Sequence, residues 1–339
     1  MAQDLNAVDK GFDVRALVTG ATGFVGGALI GRLLSLSEQA VVAAVHSAPR
    51  HALTGVERLC MANLAADTDW RDALVGVDTV YHLAARVHVM HDSAEDPLAD
   101  FRRINVEGTL NLARQAAEAG VRRFVFVSSV KVNGEATTTG GSFTANDMAA
   151  PCDPYGISKW EAEQGLHRLG AQTRLEVVVV RPPLVYGPGV KANFLRMMHW
   201  LHRGIPLPFG AIDNRRSLVA LDNLVDLLAV CGGHPGAIGQ TFMAGDGEDL
   251  STAELLARLG DALGRPARKI SVPMPWLHAM FSLVGKRDLA QRLLGSLQVD
   301  IGKTRTLLGW TPPVDVTSAL RKTASAYNSR VVDWMRIRS

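Results

Sequence analysis

Cysteine is scarce in this chain of 339 residues. Cys60, Cys152 and Cys231 are odd in number and far apart, and no CxxC pair occurs. A disulfide framework and a zinc site are therefore both poor readings, and a reducing cytoplasm is the expected setting. Long apolar runs are missing too. None reaches the roughly 18 residues that a bilayer crossing takes; the longest suspect, 276–284, is short and contains His278. Residues 1–15 carry Asp4, Asp9 and Asp13 and no apolar core, so they do not read as a secretory signal. Neither sign of charge dominates: 36 Lys and Arg against 33 Asp and Glu leave +3. The cations are dispersed, with short pairs such as Arg102-Arg103 and Arg122-Arg123, which argues against a nucleic-acid partner. What remains is 47% hydrophobic and 20% charged, an ordinary globular composition long enough to bury a large core.

Short apolar β-rich runs at 14–19, 41–45, 59–61, 78–83, 123–128 and 175–180 alternate with helical spacing at 24–36, 97–119 and 155–169. Gly120 and Gly170 follow the last two helices as stops. Continuous apolar strands separated by helices predict an α/β fold, a doubly wound Rossmann sheet covered on both faces. Such a sheet binds its ligand at the carboxyl ends of the strands. From Pro182 to Gly189 the prolines and glycines predict a rigid, irregular junction. Helical segments follow near 193–202, 222–230, 252–263, 276–284, 301–308 and 317–327, with short β runs at 216–219 and 241–243. The expected division is a dinucleotide-binding domain of residues 1–182 plus about 217–247, and a smaller α/β substrate lobe of 183–216 plus about 248–339.

Gly20-Ala21-Thr22-Gly23-Phe24-Val25-Gly26 joins the first strand to the first helix with the spacing GxxGxxG. Gly20 permits the tight turn, Gly23 admits a pyrophosphate to the backbone, and Gly26 lets helix and sheet pack closely. The helix N-terminus then attracts the phosphate charge. After the second strand an acidic residue would hold a ribose 2′-hydroxyl, but His46-Ser47-Ala48-Pro49-Arg50 contains none. Arg50 facing a 2′-phosphate, with His46 and Ser47 as donors, favours NADP; Arg50 as a solvated loop cation would leave NAD equally acceptable. Further along, Tyr155 and Lys159 stand at i and i+4 of one helix. An ammonium beside the phenol is expected to lower its pKa and ready it for proton transfer. Ser129, at the end of the fifth strand, offers a hydroxyl to the same substrate oxygen.

The set GATGFVG, VDTVYHLAA, NVEGT, FVFVSS and YGISK resembles the extended short-chain dehydrogenase/reductase family over nearly the whole chain, from about residue 15 to residue 327. That resemblance implies a Rossmann domain, a smaller C-terminal substrate domain and, for most members, a nucleotide-sugar substrate. It implies Tyr155 as catalytic acid/base, Lys159 as its partner and ribose anchor, and Ser129 as donor to the substrate oxygen. It places the cofactor against Thr22, Phe24 and Val25 of the glycine turn, Asn63 and Leu64, Leu83, Ala84 and Ala85, and Pro182, with Asn105 supporting the neighbouring helix. Asn193 and Arg216 match positions that hold uridine diphosphate, and Arg292 is a further phosphate contact. An ion pair of Arg216 with Asp213 or Asp222 is the alternative. Val87 and Lys131, with His88 and Met90, are placed at the sugar. His88 and His91 lack a third ligand, so no metal is expected. The resemblance also implies a homodimer.

The family's 4,6-dehydratases follow the strand-five hydroxyl with Asp-Glu, whereas here Val130-Lys131 follows Ser129, so that chemistry lacks its acid and base. Two activities remain. The stretches YHLAARVHVMHD and RPPLVYGPGVKANF are similar to bacterial UDP-sugar 4-ketoreductases of O-antigen and lipopolysaccharide synthesis, which form UDP-N-acetylquinovosamine-type products. Asn133, in place of the tyrosine common in sugar epimerases, and the missing ribose acid favour that reductase and an exchanging NADPH. The alternative is a UDP-hexose or UDP-N-acetylhexosamine 4-epimerase, against which Pro183 replaces an asparagine frequent in epimerases. A cofactor-sensing regulator on the same fold would dispense with the tyrosine or lysine, and this chain keeps both.

Overall fold

The computed structural model describes residues 14–36, 39–49, 52–87, 96–138, 140–283 and 293–338, the side chains of 39, 278–282 and 330–338 excepted. Arg50, His88, Met90, His91 and Arg292 lie outside the described residues. The strands are β1 (Val14–Thr19), β2 (Gln39–Val45), β3 (Arg58–Met61), β4 (Thr79–His82), β5 (Arg123–Val127), β6 (Glu176–Arg181), β7 (Leu184–Tyr186), β8 (Arg216–Ala220), β9 (Thr241–Met243) and β10 (Asp249–Leu250). Seven of them form one sheet in the order β3-β2-β1-β4-β5-β6-β9. The pairs β1–β2, β2–β3, β1–β4 and β4–β5 are parallel. The strand order reverses between β1 and β4, which is where a doubly wound sheet opens a ligand crevice.

By contacts the chain divides into two units. One comprises Met1–Val127, Ile157–Val179 and Leu228–Gln240; the other comprises Ser128–Gly156, Val180–Leu227 and Thr241–Ser339. The first unit's core follows from its sequence. Strands with continuous apolar runs bury both faces, so Leu17, Val42, Val80, Phe124 and Phe126 pack with Trp70, Leu112 and Leu166 from the flanking segments. Truncating one such residue to alanine costs about 2–5 kcal/mol.

Helix α1 spans Phe24–Ser35 and α2 is the short Arg71–Leu74. The single helix expected at 97–119 is three consecutive segments. Asp96 caps α3 (Pro97–Phe101) by accepting from the Ala99 N–H at 3.1 Å, a π-helical stretch runs from Arg102 to Gly108, and α4 (Thr109–Glu118) follows. Gly120 then turns at φ 80°, as a C′ glycine should. Helix α5 runs Pro154–Gln172, past the stop expected at Gly170. That glycine instead admits β6 closely: a Cβ there would stand 3.1 Å from Val177 Cγ2.

In the second unit β7 pairs parallel with β8, and β8 antiparallel with β10. β7 lies within the stretch expected to be irregular, its three residues bracketed by Pro183 and Gly187. The helices that follow in the chain are α6 (Ala192–His202), α7 (Leu221–Gly233), α8 (Thr252–Ala262), α9 (Met274–Leu283), Gly302–Leu308 and Val316–Arg338. Ser251 and Glu254 form a reciprocal capping box on α8. Tyr186 stacks on Phe194 at 5.5 Å and donates its hydroxyl to Asp246 Oδ2 at 2.9 Å. Asp246 Oδ1 accepts from the Ala220 N–H and from Asn223 Nδ2, so one half-buried carboxylate ties β7, β8 and α7 together. No helix among the described residues is long and apolar enough to cross a membrane.

Candidate active site

The glycine turn does what its spacing requires. Gly20 sits at φ 67°, and a Cβ there would approach the Ala84 nitrogen to 2.9 Å, so only glycine fits. The Gly23 N–H donates to the Gly20 carbonyl at 2.8 Å, and Gly27 N–H to the Gly23 carbonyl at 3.0 Å, which starts α1. Gly23 is the N-cap; it makes no side-chain capping bond, and the first turn has no acidic residue. The first turn of α1 thus brings no anion of its own to the positive end of the helix, which suits a pyrophosphate. Thr22 is exposed, Phe24 and Val25 are half-buried, and Gly26 is buried. At the end of β2, His46 and Ser47 are exposed. Asn63 is exposed, and its carbonyl accepts from Thr68 Oγ1 at 2.8 Å. Leu64 rests on the π-helical stretch, where a Cβ on Gly108 would meet its Cγ at 2.9 Å. These features fit a dinucleotide.

A buried relay that the sequence reading missed fixes the next segment. Thr19 Oγ1 accepts the N–H groups of Leu83 and Ala84, each at 3.1 Å, and lies 2.8 Å from His82 Nδ1. His82 Nε2 lies 2.9 Å from Thr109 Oγ1. With both lone pairs of Thr19 engaged, its single proton goes to Nδ1, which assigns the proton of His82 to Nε2 and makes Thr109 the acceptor. Burial, then the Lys159 charge, push the His82 pKa down to about 3, so the ring stays neutral. The turn end of β1, the Leu83-Ala84 backbone and α4 are held by one imidazole. The signal was a histidine and a threonine ending two adjacent parallel strands, in register as Thr19 opposite His82. Asn105 braces the same region: it exchanges hydrogen bonds with the Arg86 backbone at 2.8 and 3.0 Å and donates to Ser158 Oγ at 3.1 Å.

Tyr155 and Lys159 stand one turn apart on α5, as expected. Their proton affinities differ from the expectation. Burial pushes the Lys159 pKa down to about 7. Its Nζ donates to the Val127 carbonyl at 2.8 Å and lies 4.5 Å from the centre of the Phe126 ring. Tyr155 is pushed up to about 12, first by burial and then by the charge of Asp153. The phenol is therefore held neutral rather than ionised, because desolvation penalises the phenolate. Ser129 Oγ accepts from the Lys131 N–H at 3.2 Å. Lys131 pairs with Asp153 and, at 3.6 Å, with Glu135, and Val130 is buried, so no carboxylate replaces the dehydratase pair at these positions. Asn133 is buried between the Thr144 carbonyl and Arg181 Nη1, at 2.9 and 3.0 Å.

The remaining positions are placed as follows. Asn193 is half-buried in the first turn of α6, next to Ala192, which alone among described non-glycine residues has positive φ, at 54°. Such local strain is a mark of functional backbone. Arg216 opens β8 and donates to the Gly295 carbonyl at 2.9 Å. Of the two carboxylates considered for it, Asp213 lies 3.8 Å from Arg215 and Asp222 2.7 Å from Lys322. Pro182 and Pro183 are buried, and the Pro182 carbonyl accepts from the Val130 N–H at 3.0 Å. Ala85 is half-buried and Val87 is 62% exposed. No cluster of three metal-ligating side chains occurs among the described residues.

Comparison with known proteins bears on this arrangement. Residues 16–245 match the model of the NAD dependent epimerase/dehydratase family. The chain is 46% identical over 323 residues to a UDP-glucose 4-epimerase of Vibrio cholerae, covering 94% of this chain and 97% of that one. It is 30% identical over 337 residues to a UDP-glucose 4-epimerase of Mycolicibacterium smegmatis, covering 94% and 99%. Among solved structures, MoeE5 in complex with UDP-glucose and NAD superposes with a TM-score of 0.74 at 24% identity, over 94% of this chain and 99% of that one. At that identity the likeness shows the fold.

Proposed function

From the premise that this chain belongs to the NAD dependent epimerase/dehydratase family, we propose that it is a UDP-hexose or UDP-N-acetylhexosamine 4-epimerase. The observation that carries the reading is the 46% identity, end to end, with the Vibrio cholerae UDP-glucose 4-epimerase. It supports epimerisation over the ketoreduction expected from the sequence. The reading also suits Asn133, whose side chain is engaged in the protein interior rather than offered to a sugar.

In this proposal the dinucleotide is bound through the Gly20–Gly26 turn, Leu64 and the segment Leu83 to Ala85 of the first unit, and Pro182 is a further contact residue. Bound there, the dinucleotide would supply the hydride acceptor and donor that inversion at C4 of the sugar needs. In its ionised form Tyr155 accepts the O4 proton on oxidation, and the neutral phenol so formed returns it on reduction, while Ser129 hydrogen-bonds the same oxygen. Lys159 anchors the ribose and lowers the cost of the phenolate. Asn193 and Arg216, joined by Arg292, hold the uridine diphosphate, whose binding energy positions the reacting sugar. Val87 and Lys131 border the sugar.

A second reading, the NADPH-dependent 4-ketoreductase, keeps one specific observation: His46 and Ser47 stand exposed at the end of β2 with no carboxylate there for a ribose 2′-hydroxyl. We propose on that ground that the ribose end also tolerates NADP. One experiment separates the two. Purified protein is given UDP-glucose or UDP-N-acetylglucosamine without added reductant, and in parallel a UDP-4-keto-6-deoxy-N-acetylhexosamine with NADPH. Appearance of the C4 epimer in the first arm supports the epimerase; NADPH consumption in the second alone overturns it.

A further inference from the structure

We propose that the Lys131–Asp153 ion pair is a positioning and charge-setting device for Tyr155, with Lys131 acting on the phenol through Asp153. The inference rests on the reading of Tyr155 as the proton-transfer group and extends it to two residues that transfer neither proton nor hydride.

The geometry is local and made of short-range parts. Asp153 stands one residue before α5 begins. Its Oδ1 accepts the N–H of Gly156 at 2.6 Å, so the carboxylate caps the helix that carries Tyr155. Its Oδ2 accepts from Lys131 Nζ. Lys131 belongs to the turn Val130–Val132, directly after Ser129, and Ser129 Oγ accepts that residue's N–H. The two segments approach each other as closely as backbone allows: a Cβ on Gly156 would stand 2.9 Å from the Lys131 carbonyl and 3.2 Å from Asp153 Oδ1. One ion pair therefore clamps the serine turn to the first turn of the tyrosine helix.

The same pair sets the charge beside the phenol. Asp153 is the charged group that raises the proton affinity of Tyr155, after burial. The ammonium of Lys131 offsets that carboxylate and also lies 3.6 Å from Glu135. Lys159 stands one turn further along α5. With Asp153 fully countered, the phenol would ionise more readily; with Asp153 left alone, less readily. Lys131 thus holds Tyr155 between these limits, and it occupies the position where a dehydratase would carry a carboxylate. Replacing an acid by a cation there removes proton chemistry from the turn and gives its charge to the neighbouring helix cap.

The test reads the phenol directly. The chain has four tyrosines, so tyrosine labelled with 13C at Cζ gives few resonances, and Tyr155→Phe assigns the relevant one. Asp153→Asn keeps a helix-capping side chain and removes the charge. Its Tyr155 resonance should titrate about one pH unit below that of the wild type. Lys131→Met keeps the stem and removes the ammonium; its phenol should remain neutral where the wild-type phenol has begun to ionise. In the Asp153→Asn background, Lys131→Met should move the titration less, since no carboxylate then holds the ammonium beside the helix cap. If Lys131→Met leaves Tyr155 unmoved in the wild-type background, or moves it equally in both backgrounds, the proposal falls. The pH profile of kcat/KM should shift with the resonance. A resonance that shifts while the profile stays fixed would preserve the charge-setting pair and remove Tyr155 from catalysis.

Discussion

Replacing His82 by leucine tests the buried relay, and its signature is a changed dependence on pH rather than a simple loss of stability. The imidazole engages two hydroxyls, Thr19 Oγ1 at 2.8 Å and Thr109 Oγ1 at 2.9 Å. Leucine fills the space but leaves both in the interior without that partner, at a cost of about 1–3 kcal/mol each. At pH 7.5 the variant should therefore be less stable by about 2–5 kcal/mol. The wild type carries an acid penalty that the variant lacks. Its His82 titrates at about 3 in the fold and at about 6.5 when unfolded. Between those values the unfolded chain binds the extra proton, so the stabilisation is complete above pH 6.5 and is lost as pH falls toward 3. At pH 5 the loss is about 2 kcal/mol. Denaturant midpoints at pH 7.5 and pH 5 should then show the gap between wild type and variant shrinking by roughly that amount. Parallel displacement of the two proteins at both pH values would refute the assignment of a neutral, buried imidazole. A second consequence is functional: with the Leu83-Ala84 backbone no longer tied to a fixed Thr19 hydroxyl, NAD affinity should fall by roughly 3–10-fold.

Three other substitutions test neighbouring parts of the account. Tyr155→Phe should lower kcat by about 10²–10⁴ while NAD still binds, as followed by calorimetry; retained activity would remove the phenol from the chemistry. Lys159→Met should abolish a stability increase that the wild type shows from pH 7 toward 10.5, because the folded pKa of about 7 lies below that of the unfolded chain; denaturant midpoints across that window read it out. Gly20→Ala places a side chain at φ 67° against the Ala84 nitrogen; it should cost about 1–3 kcal/mol in denaturant titrations and eliminate dinucleotide binding.

What the sequence revealed, and what it hid, divides along physical lines. The β1–turn–α1 unit was legible because three glycines at fixed spacing have few other uses, and Gly20 does take the positive φ that the turn needs. The sheet was legible because strands such as Arg123–Val127 carry an unbroken apolar run, here Phe124 to Val127, a pattern that implies cover on both faces. The π-helical stretch Arg102–Gly108 was hidden: one extra residue per turn leaves an apolar pattern that still reads as a helix. β7 was hidden by the proline and glycine that bracket it, and the continuation of α5 through Gly170 by a glycine that serves packing rather than termination. At the site, the pairing of Tyr155 with Lys159 was visible in their spacing, but the direction of the phenol's pKa was not. That direction depends on burial and on Asp153, whose short side chain reads in sequence only as a helix cap. His82 was concealed in an apolar strand, where its partners become evident only once β1 and β4 lie side by side.

The most direct test of the central claim follows a single atom. UDP-glucose deuterated at C4 is incubated with the purified protein and unlabelled NAD, and the nucleotide sugars are recovered for mass spectrometry and NMR. The account predicts UDP-galactose with deuterium still at C4, since one site removes and returns the same hydride. Absence of the epimer, or an epimer whose deuterium has passed to free cofactor, would contradict it.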